Sequence, residues 1–207
     1  ELSAKNGNLN SMFELGRMCE LGEGAAKNID KALYWYGKAA DLGSLKCLYS
    51  GARVSKRIGI RKRFEWYKNY AEKGNPNAMI SLAKMYSEGE GTEKDIEKDL
   101  YLSLQSAQKG NAEAMLHLGY LYRNGIGVKK NVNISLDWYL KAFDKNEMMA
   151  MSNITRLFLE IGTIQANAFQ ATIWVRIGAE NGDIDSLRFL ATLYEKGVGM
   201  CQNNNEA

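Results

Sequence analysis

A period of 36 residues runs through this chain and restricts its fold more than any single motif does. Gly7, Gly43, Gly74, Gly110, Asn146 and Gly182, small residues that close successive polar helix ends, lie 36, 31, 36, 36 and 36 residues apart. Self-similarity at this spacing marks stacked supersecondary units, so it is weighed before any single element. Other positions recur by side-chain size within that frame. Eight residues before the markers stand Trp35, Trp66, Leu102, Trp138 and Trp174, and three before them Ala40, Ala71, Ala107, Phe143 and Ala179. Four residues after come Ser11, Cys47, Ala78, Ala114, Ala150 and Ser186; nine after come Gly16, Ala52, Ala83, Gly119, Thr155 and Ala191. The clearest copy is Asn111 to Asn146.

The unit reads as helix–turn–helix. Helix A begins after an Asn or Asp able to cap it, carries small residues where a neighbouring backbone approaches, and fills its third turn with Tyr86, Tyr122, Phe158 or Tyr194. A G-x-G loop follows at 22–24, 89–91, 125–127 and 197–199, supplying positive-φ positions. Helix B carries a Trp-Tyr pair and ends in A-x-x-G, the pattern of a left-handed C-cap. One Pro, Pro76, in 207 residues agrees with many helices and no sandwich of short strands. The expected class is all-α: one array over 1–207, with repeats at about 8–43, 44–74, 75–110, 111–146 and 147–182 and a partial one at 183–207.

At LGYLYRNGIGV, SLDWYLKAF and KALYWYGKAADLG the chain resembles the Sel1-like repeats, relatives of the tetratricopeptide repeats. The resemblance implies a right-handed α/α superhelical solenoid serving as adaptor or scaffold for protein–protein contacts, in bacterial envelope and secretion systems among others. It also points to a periplasmic or cell-envelope setting.

Departures from the period matter as much as matches. The second repeat is 31 residues long and carries the basic run Ser55 to Arg63 in place of the glycine loop. From Ser44 to Gly74 nine cations face two carboxylates, a net +7 within a chain whose total is +3, which leaves the remainder at −4. The fifth repeat has Ile161-Gly162-Thr163 where G-x-G belongs, and a looser turn is expected there. The sixth stops after Gly199 with the tail CQNNNEA, and residues 1–7 read as the end of a preceding helix B. Both termini are therefore expected to cut into the array rather than cap it.

Transferring the tetratricopeptide frame, positions six and ten after each marker should line a concave surface. The first row is Phe13, Tyr49, Ile80, Leu116, Ser152 and Arg188; the second is Arg17, Arg53, Lys84, Tyr120, Arg156 and Thr192. An apolar row beside a basic one suits an interface centre with a charged border. With Arg123 added from the best-formed copy, the expected protein-binding residues are Phe13, Arg17, Tyr49, Arg53, Ile80, Lys84, Leu116, Tyr120, Arg123 and Arg156. The expected partner is another protein with apolar anchors and acidic flanks. A separate basic patch, Lys56, Arg57, Arg61, Lys62 and Arg63, interleaved with Ile58, Ile60 and Phe64, is a candidate for partner contact, with an acidic protein, anionic lipid or RNA as possible occupants. Nucleic acid is not the expected partner, because a total of +3 is too mild for it.

Chemistry is sparse. The only histidine, His117, has frame equivalents Glu14, Ser50, Ser81, Asn153 and Phe189, a mixture that fits a solvent-facing or groove-edge position. One histidine nearly excludes Ser-His-Asp, Cys-His and histidine-rich metal sites. Cys19 and Cys47 occupy packing positions of the frame, Cys201 falls in the tail, and no C-x-x-C occurs. The G-x-G loops follow no strand and recur once per repeat, so they read as structural rather than phosphate-binding. No apolar run is long enough to span a membrane. No cofactor, metal or catalytic residue is expected. The leading reading is a non-enzymatic protein-binding module, an adaptor, regulator or toxin-neutralising immunity protein. The alternatives are a β-lactamase-like hydrolase of the cysteine-rich Sel1-like type, whose cysteine pair in each repeat is missing here, and a structural segment of a larger scaffold.

Overall fold

The computed structural model describes residues 2–24, 26–161 and 173–196. The Gly162-Thr163 turn, the loop at 197–199, Cys201 and its tail, and the side chains of Phe158 and Thr192 lie outside that description. Described residues are helical or lie in the turns and short loops between helices, with no strand among them. Contacts group the chain into two compact units, Glu1–Lys109 and Gly110–Ala207, and the division falls at the close of the third repeat.

The first unit contains α1 (Leu2–Lys5), α2 (Leu9–Leu21), α3 (Ile29–Asp41), α4 (Leu45–Ile58), α5 (Ile60–Glu72), α6 (Pro76–Glu88) and α7 (Ile96–Gln108). The second contains α8 (Ala112–Asn124), α9 (Val132–Phe143), α10 (Met149–Ile161), helical residues 173–180 (α11) and α12 (Ile184–Lys196). Helices follow one another as packed neighbours, α2 with α3, α6 with α7, α8 with α9.

Why these segments start and stop where they do is visible in their caps. The Asn8, Asn28, Asn111 and Asn131 side-chain oxygens accept from the backbone N–H three residues on, at 2.9, 2.9, 2.8 and 3.1 Å. Each satisfies a donor that the first helical turn leaves open. Helices α2, α6 and α8 end on Gly22, Gly89 and Gly125 in the left-handed region, as the G-x-G reading requires. Asn146 is the informative exception. It is the one described non-glycine residue with positive φ, at 61°, and it stands where the other repeats place glycine. Asn tolerates this conformation better than other side chains do.

The recurring small residues have a measurable purpose. Tyr36 on α3 and Tyr139 on α9 are fully buried, each laid against a glycine of the preceding helix. A Cβ on Gly16 would sit 2.6 Å from the Tyr36 ring, and one on Gly119 2.4 Å from Tyr139. The neighbouring tryptophans Trp35 and Trp138 are only half-buried, so the tyrosine of the Trp-Tyr pair is the ring that locks each helix pair. In the second repeat Trp66 takes a comparable slot on Gly51, where a Cβ would lie 2.0 Å from the indole, and its Nε1–H donates to the Leu48 carbonyl at 3.0 Å. Cys47, Ala78, Ala114, Ala150 and Ser186 are all buried.

The basic run that stands in place of the glycine loop is itself helical, because α4 continues to Ile58 and α5 begins at Ile60. Gly59 alone, in extended backbone, separates them. The shortened period removes the connection and leaves the cations on two helix ends.

Candidate protein-binding surface

Helix A of the second repeat carries the most distinctive side chains of the first unit. Tyr49 on α4 is 41% exposed. Arg53, one turn on, has a side chain that is 56% exposed while its guanidinium is pinned: Nη1 and Nη2 donate to the two carboxylate oxygens of Glu20, each at 2.8 Å. Arg57, 55% exposed, donates from Nη1 to the same carboxylate at 3.0 Å. Glu20 itself is only 2% exposed, and the Tyr36 hydroxyl donates to it at 3.0 Å from the core side. Burial pushes the Glu20 carboxyl upward, but hydrogen bonds from Arg53 and Tyr36, with the charges of Arg53 and Arg57, outweigh it and hold the group below the ordinary glutamate value. Burial and the Glu20 hydrogen bond both push the Tyr36 phenol upward, so it stays a donor.

A second carboxylate draws in the rest of the run. Arg63 Nη1 donates to both oxygens of Glu90 at 2.9 and 2.8 Å, and Lys56 Nζ lies 3.3 Å from it. Glu90 is the middle residue of a G-x-G loop. The basic patch is thus two clamps on carboxylates from the flanking repeats, with Arg61 and Lys62 exposed outside them and making no ion pair among the described residues. Sequence reading missed both carboxylates. Glu20 left a signal: with Met12 and Gly16 it forms the buried stripe of α2 at a spacing of four, an acid in an apolar row.

The other expected contacts separate by exposure. Ile80 is fully buried, so it does not contribute to a free row; a frame position fixes the phase of a helix, whereas exposure depends on what the next helix covers. Phe13 is half-buried, tilted on Tyr36 with Lys46 Nζ 3.6 Å from its ring centroid. Arg17 is paired with Glu14 at 2.9 Å and Glu23 at 2.8 Å. Lys84 is half-buried. In the second unit Leu116 packs partly onto Tyr139, Ile154 and Leu157. Tyr120 is 50% exposed and stacked near His117, with ring centroids 6.4 Å apart. Arg123 is half-buried and Arg156 exposed.

Of the cysteines, Cys47 is buried and its thiol is pushed upward by that burial; Cys19 is half-buried. Among the described residues no group of three or more His, Cys, Asp and Glu could hold a metal ion, and no helix is long and apolar enough to cross a membrane.

Stacked helix pairs of this kind define the α/α repeat solenoids. A family model described as Sel1 repeat matches residues 9–44, 76–111, 112–147 and 184–207, and the chain belongs to that family. The intervals 45–75 and 148–183 are the two repeats whose loops depart from the period. A Sel1 repeat protein from Oxalobacter formigenes superimposes with a TM-score of 0.70 at 24% identity, over 96% of this chain and 83% of that one. An immunity protein from Pseudomonas aeruginosa does so with a TM-score of 0.51 at 22% identity, over 93% and 69%. The ERAD-associated E3 ubiquitin-protein ligase component HRD3B of Arabidopsis thaliana is 33% identical over 98 residues, 46% of this chain, and the chain spans 16% of its length. Sel1 repeats mediate protein–protein interaction, and their solenoid is typically a non-catalytic module.

Proposed function

We propose that this chain is a non-enzymatic binding module that holds a protein partner through its A helices, using Tyr49, Arg53 and Arg57 in the first unit and Tyr120, Arg123 and Arg156 in the second. The observation that carries the reading is the exposed Tyr49 one turn from an exposed, ordered guanidinium pair. Large rings and arginines are the side chains that most often dominate protein interfaces. Burying one such ring contributes about 2 kcal/mol, while exposed ion pairs contribute about 0 to 1 kcal/mol each and mainly orient the approach. The partner accordingly offers apolar anchors with acidic flanks, as expected for an adaptor, a regulator or an immunity protein that neutralises a toxin; the fold likeness to the Pseudomonas immunity protein supports the last of these only at the level of shape.

The test is crosslinking capture of the partner with the whole chain, repeated with Tyr49→Ala and Tyr120→Ala combined. Loss of the captured protein with unchanged helical circular dichroism is expected. Retention of that protein would sink the assignment to the A helices. Phe13 and Leu116 are poor choices for this test because both also pack on the core.

A further inference from the structure

We propose that Arg53 and Arg57, with Lys56 and Arg63 beside them, form a docking site for an acidic protein segment, and that Glu20 and Glu90 are positioning residues that hold these cations ready for it. The inference deepens the reading above and rests on it.

Stoichiometry is the first argument. Two cations share Glu20 and two share Glu90, so each clamp retains one positive charge after internal pairing. Placement is the second. The negative partner of the first clamp is enclosed at 2% exposure while both its arginines are more than half exposed, so solvent meets the positive side alone. The third is unused hydrogen-bonding capacity. A guanidinium carries five N–H groups; Arg53 gives two to Glu20 and Arg57 one, and the Nε–H of each arginine and Nη2 of Arg57 make no hydrogen bond among the described residues. Donors in a planar fork suit a carboxylate. Because Glu20 is fixed by the Tyr36 hydroxyl, the fork is ordered before a ligand arrives, and less freedom is lost on binding.

The surroundings select a protein over a nucleic acid. Outside this repeat the chain carries a net −4, which opposes a long polyanion but tolerates a short acidic stretch. Tyr49 and Ile58 stand exposed beside the clamps and offer apolar contact that a phosphate backbone would not use.

The experiment is fluorescence anisotropy with the full chain and a labelled peptide carrying glutamate pairs around a leucine, beside its glutamine counterpart, a short DNA duplex and phosphatidylserine vesicles. The acidic peptide should bind and the other three should not. Arg53→Lys with Arg57→Lys keeps the charge but loses the fork, and should weaken the peptide by about tenfold; Arg61→Gln with Lys62→Gln should change it by less than about twofold. Glu20→Gln should also weaken it, although the net charge rises. Stronger binding in that variant would make Glu20 a competitor and overturn its positioning role. Equal binding by the lysine pair, or preference for duplex or vesicles, overturns the docking site. If the peptide fails while a captured partner still depends on Tyr49 and Tyr120, this inference falls and the broader reading stands; if the peptide binds through the arginines but capture ignores both tyrosines, the reverse holds.

Discussion

The second and fourth repeats solve the same problem by different means. In the fourth, α8 and α9 are joined by a glycine loop with two left-handed residues, and Tyr139 drops onto Gly119, whose carbonyl also accepts from the Ser135 hydroxyl at 2.7 Å, so shape and a buried neutral hydrogen bond hold the pair. In the second, the loop is gone, an indole replaces the tyrosine over the glycine slot, and charge ties the pair to its neighbours through Glu20 and Glu90. A repeat freed from loop geometry gains two helix ends on which unusual side chains can gather. The departure from the period and the most distinctive surface therefore coincide.

If both repeats share the glycine slot, Gly51→Ala and Gly119→Ala should each destabilise by about 3 kcal/mol in urea unfolding, because overpacking outweighs the helix propensity that Ala adds. A loss in only one would show that the slots are not equivalent. Glu20→Gln should cost about 2 kcal/mol, since it removes the buried charge on which Arg53, Arg57 and the Tyr36 hydroxyl converge, and no equivalent exists in the fourth repeat. The pH dependence has a definite sign. The folded-state value of Glu20 is depressed, so its stabilisation is complete above the unfolded value of about 4.3 and fades as pH falls through the folded one. Melting temperatures of the parent and Glu20→Gln should consequently converge on acidification below that value. Gly125→Ala, at a φ of 71°, should cost about 1 kcal/mol and has no counterpart in the loopless repeat. The smallest effect belongs to Glu90→Gln, about 0.5 kcal/mol by chemical denaturation, because its carboxylate is more open to solvent than that of Glu20, and added salt should shrink it further.

Much of the fold was legible because its rules are local. A cap reaches three residues, a C-terminal glycine closes its own helix, and the period places every copy, including Asn146 in a conformation usually left to glycine. The surface was less so. Tyr49 and Ile80 occupy one frame position, yet one is exposed and the other has no access to solvent. Arg53 and Arg57 read as free cations because the carboxylate that holds them lies 33 and 37 residues away. Lys56, the frame equivalent of Glu20, carries the opposite charge, so a comparison of repeats position by position hides a partnership that runs between them.

The single-residue junction at Gly59 bears on how the first unit comes to be folded at all. Bringing α4 against α5 closes almost no loop, so it sacrifices less chain entropy than pairing α2 with α3 or α6 with α7 across their longer connections. Low sequence separation favours early formation. This helical hairpin is expected to act as the nucleus on which the flanking pairs condense, so that Tyr67→Leu slows refolding more than Tyr36→Leu does in stopped-flow measurements.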